Sequence, residues 1–174
     1  MHGAARGLLM AVLALIAGAQ SLAEDAHPPT PAQRDYLLAC GGCHGILGTS
    51  NSKVVPQLAG LVGYYLLTPE GRSYLPRLPN VAFAALSDQA LASVLNYVVF
   101  DLGCSSVPTS AAPFGAAEVA HLRTRPLTEI SLTAYRRALV SDLIERHGAP
   151  LDLGRYPGSP TVPGPRPCTA RVPT

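Results

Sequence analysis

The sequence predicts an all-α fold, on three observations. Leu91, Val94, Leu95, Val98 and Leu102 recur at intervals of three and four, which puts them on one stripe of a helix. Ser87 stands where an N-cap belongs, with Leu86 and Leu91 at the spacing of a hydrophobic staple across it. A run of good or tolerable helix formers from 32 to 39, opened by Pro31, leads into Cys40-Gly41-Gly42-Cys43-His44. The stripe reads as core packing, and the cysteine segment as the place where chemistry is done.

Taken in order, the chain begins with a basic start at His2 and Arg6, an apolar run over 8–17, and small residues at Ser21 and Ala23. That is the pattern of a secretory signal peptide, 1–23, with cleavage after Ala23. The run falls short of the roughly 20 apolar residues of a membrane span, so no permanent span is expected after cleavage. A polar lead-in precedes the first helix, in which Tyr36 and Leu37 are the packing contacts. Residues 48–53 read as a polar loop and 61–67 as a short helix. Thr68-Pro69-Glu70-Gly71 reads as a turn, and 72–85 as a loop, because Pro76 and Pro79 are unfavourable inside a helix. The striped helix follows and stops at Gly103, as helix-ending glycines do. Beyond a linker over 105–113, residues 116–123 form a short helix. A longer helix begins at Pro126 and runs over 127–147, with Ile130, Tyr135, Ala138, Leu139 and Leu143 at near-helical spacing and Gly148 as its stop. The proline-rich remainder reads as extended or irregular.

The five-residue segment is the attachment pattern of a c-type haem. Two cysteines three positions apart can each form a thioether to a porphyrin vinyl group. The histidine after them then lies beneath the iron as the proximal ligand. A thioredoxin-like pair would want a preceding strand, and a zinc site a second ligand pair nearby; neither is visible. Gly41, Gly42 and Gly45 let the backbone pass close to the ring. Export leaves Cys104 and Cys168 as an even pair in an oxidising compartment, which reads as a disulfide closing the tail onto the body, worth about 3–5 kcal/mol if unstrained. The charge balance, 13 basic against 11 acidic residues, offers no basic stripe for nucleic acid.

With the haem motif, the helix before it and the Leu86-Ser87-Asp88 helix start in place, 33–102 resembles the single-haem class I c-type cytochromes. The resemblance implies a small helical domain wrapped around one covalently attached haem c, with the first and last helices crossing near Tyr97. It implies further that Pro56, in a Pro-x-Leu-x-Gly setting, holds its carbonyl near the His44 ring and fixes the orientation of the ligand. The domains expected are thus the signal peptide 1–23, the haem domain 24–104, and a helical, proline-rich extension 105–174 that matches nothing informative.

One departure from the family stands out. Where its members carry a methionine before a proline as sixth iron ligand, this chain has Leu78-Pro79, and its two methionines, Met1 and Met10, lie in the signal segment. Three readings of the distal side stay open. His121 reaches back from the extension, with His147 and His27 as weaker candidates; or Tyr74, Asn80 or Cys104 donates; or the iron is five-coordinate beneath an apolar pocket lined by Leu78, Val81 and Phe83.

The function implied is that of a periplasmic or otherwise exported electron carrier, passing single electrons between a dehydrogenase subunit or membrane redox complex and another cytochrome or oxidase. The alternative is a five-coordinate haem protein that binds a diatomic gas. Peroxidase chemistry ranks behind both, because no histidine near Leu78 offers distal acid-base help.

Overall fold

The computed structural model describes residues 28–50, 52 and 54–155; the signal segment, His27 and Cys168 lie outside them. From Pro31 on, the described residues form α1 (Pro31–Ala39), the single turn α2 (Gly41–His44), a 3-10 helix (Val62–Leu67), α3 (Pro69–Arg77), α4 (Pro79–Ala82) and α5 (Asp88–Asn96). The last of these continues into a π-helical stretch (Tyr97–Leu102). A 3-10 turn (Cys104–Ser106), α6 (Ala116–Arg123), α7 (Leu132–His147) and a last 3-10 turn (Leu151–Gly154) follow. No strand occurs among the described residues, so the all-α expectation holds.

The crossing of first and last helices is built on tyrosines. Tyr36 of α1 is fully buried, meets Tyr97 edge-on with ring centroids 5.4 Å apart, and donates its hydroxyl to the Gly45 carbonyl at 2.7 Å. One side chain thereby fixes α1 against the end of α5 and also against the turn that follows His44. On α5, the Ser87 hydroxyl accepts from the Ala90 amide at 3.2 Å, and the predicted stripe is buried from Leu91 to Leu102.

Three local expectations need correction. Gly103 is not a left-handed stop: its φ is −71°. It ends the helix where the chain crosses the 3-10 helix at Gly63. A Cβ on Gly103 would lie 3.1 Å from the Gly63 amide nitrogen, tighter than most such contacts, and one on Gly63 would lie 2.6 Å from the Val107 nitrogen, closer than such atoms come. The segment 72–85 is largely helical, not a loop, although only one of its two prolines, Pro79, sits where helices readily tolerate one. Pro69 and Pro79 open α3 and α4 at their first turns, while the Thr68 hydroxyl caps α3 by accepting from the Gly71 amide at 3.0 Å. Pro76 falls in the last turn of α3, buried in the core, where burial of its ring offsets the missing amide. Finally, α7 starts at Leu132, not Pro126. The Leu127 amide is drawn away to the Arg77 carbonyl at 2.8 Å, Ser131 caps the helix instead, and Ile130 is fully exposed. Gly148 does end α7 in the left-handed conformation, at φ 73°.

Residues 114–153 are not a separate body. Phe114, Val119, Leu127, Leu139, Val140, Leu143 and Leu153 join the same apolar core as Tyr36, Leu91 and Val99. Arginines stitch the seam. Arg72 of α3 holds Glu118 of α6 through two nitrogens, at 2.6 and 2.8 Å. It also donates to the carbonyls of Ala112 and Pro113 and lies 4.1 Å over the Phe114 ring. Arg77 donates to the Arg125 carbonyl at 2.8 Å. Arg123 of α6 reaches the carbonyls of Ala82, Ala84 and Leu86 at 2.7–2.8 Å, and Asp88 at 3.1 Å.

The hydrogen bonds from Arg72 hold the Glu118 carboxyl below its ordinary value of 4.5. The unfolded chain therefore takes up this proton at higher pH than the folded one. Its stabilising contribution is complete above the ordinary value and is lost as pH falls through the folded value. Thermal midpoints of the wild type and Glu118→Gln should differ at neutral pH and converge in acid; a constant gap would remove this pair from the acid sensitivity of the fold.

Candidate functional site

The site is assembled from one local turn and a distant wall. The Cys40 amide donates to the Tyr36 carbonyl at 2.8 Å, and the amides of Cys43 and His44 both donate to the Cys40 carbonyl, at 3.1 and 3.0 Å. This continues α1 into α2 and carries both sulfurs and the imidazole on one helical turn. Cys40 is half-buried and Cys43 exposed, and both thiols are free. Burial raises the Cys40 thiol above its ordinary value, with the neighbouring Cys43 adding to the effect. Of the three glycines expected to admit a ring, Gly45 is required by the turn itself: φ is 77° and a Cβ would lie 2.5 Å from the Thr49 carbonyl oxygen. Added Cβ atoms on Gly41 and Gly42 would meet ordinary contact or open space among the described residues.

His44 Nδ1 lies 3.1 Å from the Pro56 carbonyl oxygen. A carbonyl only accepts, so Nδ1 carries the hydrogen and Nε2 keeps its lone pair for a metal. Burial lowers the His44 pKa, opposed in part by the Pro56 bond; both the tautomer and the charge are those of a ligand. The two residues that the sequence holds twelve positions apart are thus brought together.

Cys40, His44 and Pro56 border a largely apolar cleft that is open to solvent at its mouth. Its floor is the predicted stripe, Leu91, Val94, Leu95 and Val98. Its far wall carries Tyr65, Tyr74, Leu75, Leu78 and Val81, with Ala84 and Leu86 beside them. Leu78 and Val81 are where an apolar distal pocket was expected. Phe83 is not: it is 73 % exposed, because the turn after α4 points it outward.

The distal candidates separate cleanly. Tyr74 and Asn80 border the cleft. His121 does not: it is exposed on the outer side of α6, with the Arg125 guanidinium against its Nε2. His147 sits at the end of α7 with Nε2 3.5 Å from Asp142. Cys104 lies on the short turn after the π-helical stretch and is not among the residues that border the cleft.

Among the cleft residues that the sequence did not point to are Tyr65 and Leu75 and, from the extension, Arg136 and Leu153. Arg136 is buried and donates to the Leu153 carbonyl at 2.8 Å. Its signal was its place on the inward stripe of α7, in register with Leu139, Val140 and Leu143, where an arginine is costly unless it is paired.

Two free thiols and a neutral, oriented imidazole beside a largely apolar cleft fit a covalently held porphyrin iron. They do not fit the zinc alternative, since no group of three metal-ligating side chains occurs among the described residues. Comparison with known proteins agrees. The chain is 31 % identical over 118 residues to a cytochrome c-552 of Thermus thermophilus, an alignment covering 58 % of this chain and 90 % of that protein. It is 32 % identical over 118 residues to a second cytochrome c-552 from the same species, covering 58 % of this chain and 80 % of the relative. No protein-family model matches the chain, and no solved structure matches it.

Proposed function

Because the chain belongs to the class I c-type cytochromes, we propose that it is an exported single-electron carrier, moving electrons between a dehydrogenase subunit or membrane redox complex and another cytochrome or oxidase. The observation that carries this reading is the His44–Pro56 contact beside two free cysteines. It is the arrangement of a permanently held proximal ligand. The family's prosthetic group is one covalently attached haem c, which supplies the reversible one-electron chemistry.

The chain's own residues do the rest. Cys40 and Cys43 anchor the cofactor, and His44 offers Nε2 to the iron while Pro56 prevents rotation of its ring. The apolar lining keeps water from the site and lowers the local dielectric, one of the levers by which a protein sets the potential of its haem. Leu38, Ile46 and Leu47, which are 88, 68 and 55 % exposed, flank the attachment turn in sequence and put apolar surface beside it. Such a surface suits brief docking of a redox partner. No helix among the described residues is long and apolar enough to cross a membrane. Export of the chain through its signal segment is part of the same reading, as are a Cys104–Cys168 disulfide and the boundaries 24–104 and 105–174.

On the distal side, the cleft offers neither methionine nor a histidine besides His44 among the described residues. This favours iron left open or weakly ligated there. Carbon monoxide added to the reduced holoprotein should bind stoichiometrically, and His121→Ala should leave the reduced spectrum unchanged. Refusal of carbon monoxide would establish a strong sixth ligand and leave electron relay as the only role. A spectral change in His121→Ala would return that residue to the iron. Tight, reversible uptake of diatomic gases at low concentration would favour the gas-binding alternative over electron transfer.

A further inference from the structure

Three tyrosines from three separate elements stack in a column that starts at the cleft and ends at the surface. Tyr65, on the 3-10 helix, and Tyr74, on α3, both border the cleft. Their rings are near-parallel, at 12°, with centroids 5.2 Å apart. Tyr74 stacks in turn on Tyr135 of α7 at 5.9 Å and the same 12°. Tyr65 and Tyr74 are buried, whereas Tyr135 is partly exposed and donates its hydroxyl to the Glu70 carboxylate at 3.1 Å. Stacking alone explains a contribution to packing. It does not explain why the outermost phenol is paired with a carboxylate, the group needed to take a proton when a phenol gives up an electron.

We propose that Tyr65, Tyr74 and Tyr135 form an electron relay that carries oxidising equivalents from the haem cleft to the surface, with Glu70 as the proton acceptor at its outer end. The proposal rests on the haem reading above and adds a second electrical connection, through Tyr65 and Tyr74 of the cleft. The oxidant is hydrogen peroxide reaching the cleft. In each passage Tyr135 loses one electron inward through Tyr74 and Tyr65, its hydroxyl proton passes to Glu70, and a phenoxyl radical remains at Tyr135. Two passages supply the two electrons, and through Glu70 and solvent the two protons, that turn one peroxide into two waters. A one-electron, one-proton donor of the ascorbate class returns each phenoxyl to phenol. Burial first, and then the bond to Glu70, hold the Tyr135 phenol above its usual value, so at rest the proton is in place to be moved.

The test uses the matured holoprotein, with attached haem measured first by the colour that survives denaturation. It is then treated with hydrogen peroxide and a nitroso spin trap, digested, and mapped by mass spectrometry. The adduct should concentrate on Tyr135, exceeding that on the partly exposed Tyr64 and Tyr97. Tyr74→Phe should reduce the Tyr135 adduct by about tenfold or more. Glu70→Gln, an exposed change that spares the cleft, should also reduce it and move adduct to Tyr74; it decides the matter alone should Tyr74→Phe fold poorly. A chain without attached haem overturns the reading above and this one together. Attached haem with Tyr135 unlabelled, or labelled equally in the variants, overturns the relay alone.

Discussion

Replacing both Cys40 and Cys43 by alanine should abolish haem that stays with the denatured chain and lower the unfolding free energy by at least about 3–5 kcal/mol, the cost of emptying one large aromatic site in a core. The size of the effect follows from the cleft. Leu75, Leu91, Val94, Leu95 and Val98 face it together with Tyr65 and Tyr74, so the fold has invested its best helix in lining a space for a rigid apolar disc. Without tethering, only the contact with His44 and the apolar walls retain the ring. His44→Ala separates the two contributions. Colour should survive denaturation in that variant, because both thioethers remain, while the reduced spectrum loses the signature of an imidazole ligand. Acidified organic solvent extraction followed by absorbance checks the first result, and urea denaturation of each holoprotein or apoprotein checks the second. Colour retained by the double alanine variant would sink the assignment of these cysteines.

How much of this was legible beforehand depends on how local each feature is. The attachment segment is five consecutive residues, and its geometry is one helical turn, so nothing distant had to be known. The α5 stripe is likewise a local periodicity, capped by Ser87 and buried as its spacing predicts. The contact between His44 and Pro56 came from family resemblance and not from spacing, and the fold places it at hydrogen-bond distance. The helices α3 and α4 were hidden because proline was read as a breaker without regard to its place in the turn. At the first position it costs no bond, and α3 and α4 use it there. The start of α7 was hidden because the backbone of Leu127 bonds to Arg77, a partner fifty residues away. The same distance hid Arg136 and Leu153 in the cleft wall, and it left His121 as one open distal reading among three; the packing of Val119 inward leaves His121 exposed on α6. Local chemistry could be read from the string of residues, whereas the distal wall is a product of long-range contacts.

Arg123→Ala is expected to cost about 3–5 kcal/mol, more than any ordinary surface change, and to do so through the distal wall. One guanidinium satisfies three backbone carbonyls, those of Ala82, Ala84 and Leu86, at 2.7–2.8 Å. Ala84 and Leu86 border the cleft. The Ala84 carbonyl also accepts from the Leu86 amide at 2.8 Å, and Arg123 of the extension supplies a further donor to each of the three acceptors. Removing the side chain leaves several partly buried acceptors with one partner fewer, and each such loss costs about 1–3 kcal/mol when water cannot replace it. The carboxylate of Asp88 is the minor part: its side chain is 45 % exposed, and Asp88→Ala should cost no more than about 1 kcal/mol. Arg123→Lys should recover less than half of the loss, since an ammonium cannot span the fan of acceptors that a planar fork reaches. Urea titration of the four holoproteins supplies the comparison, with attached haem measured in each. If Arg123→Ala unfolds within about 0.5 kcal/mol of the wild type, the clamp is decorative and the distal segment holds its shape unaided. If instead the loss is large while the attached haem is unchanged, the extension acts as the outer brace of the cleft: it takes no part in holding the cofactor but fixes the wall that faces it.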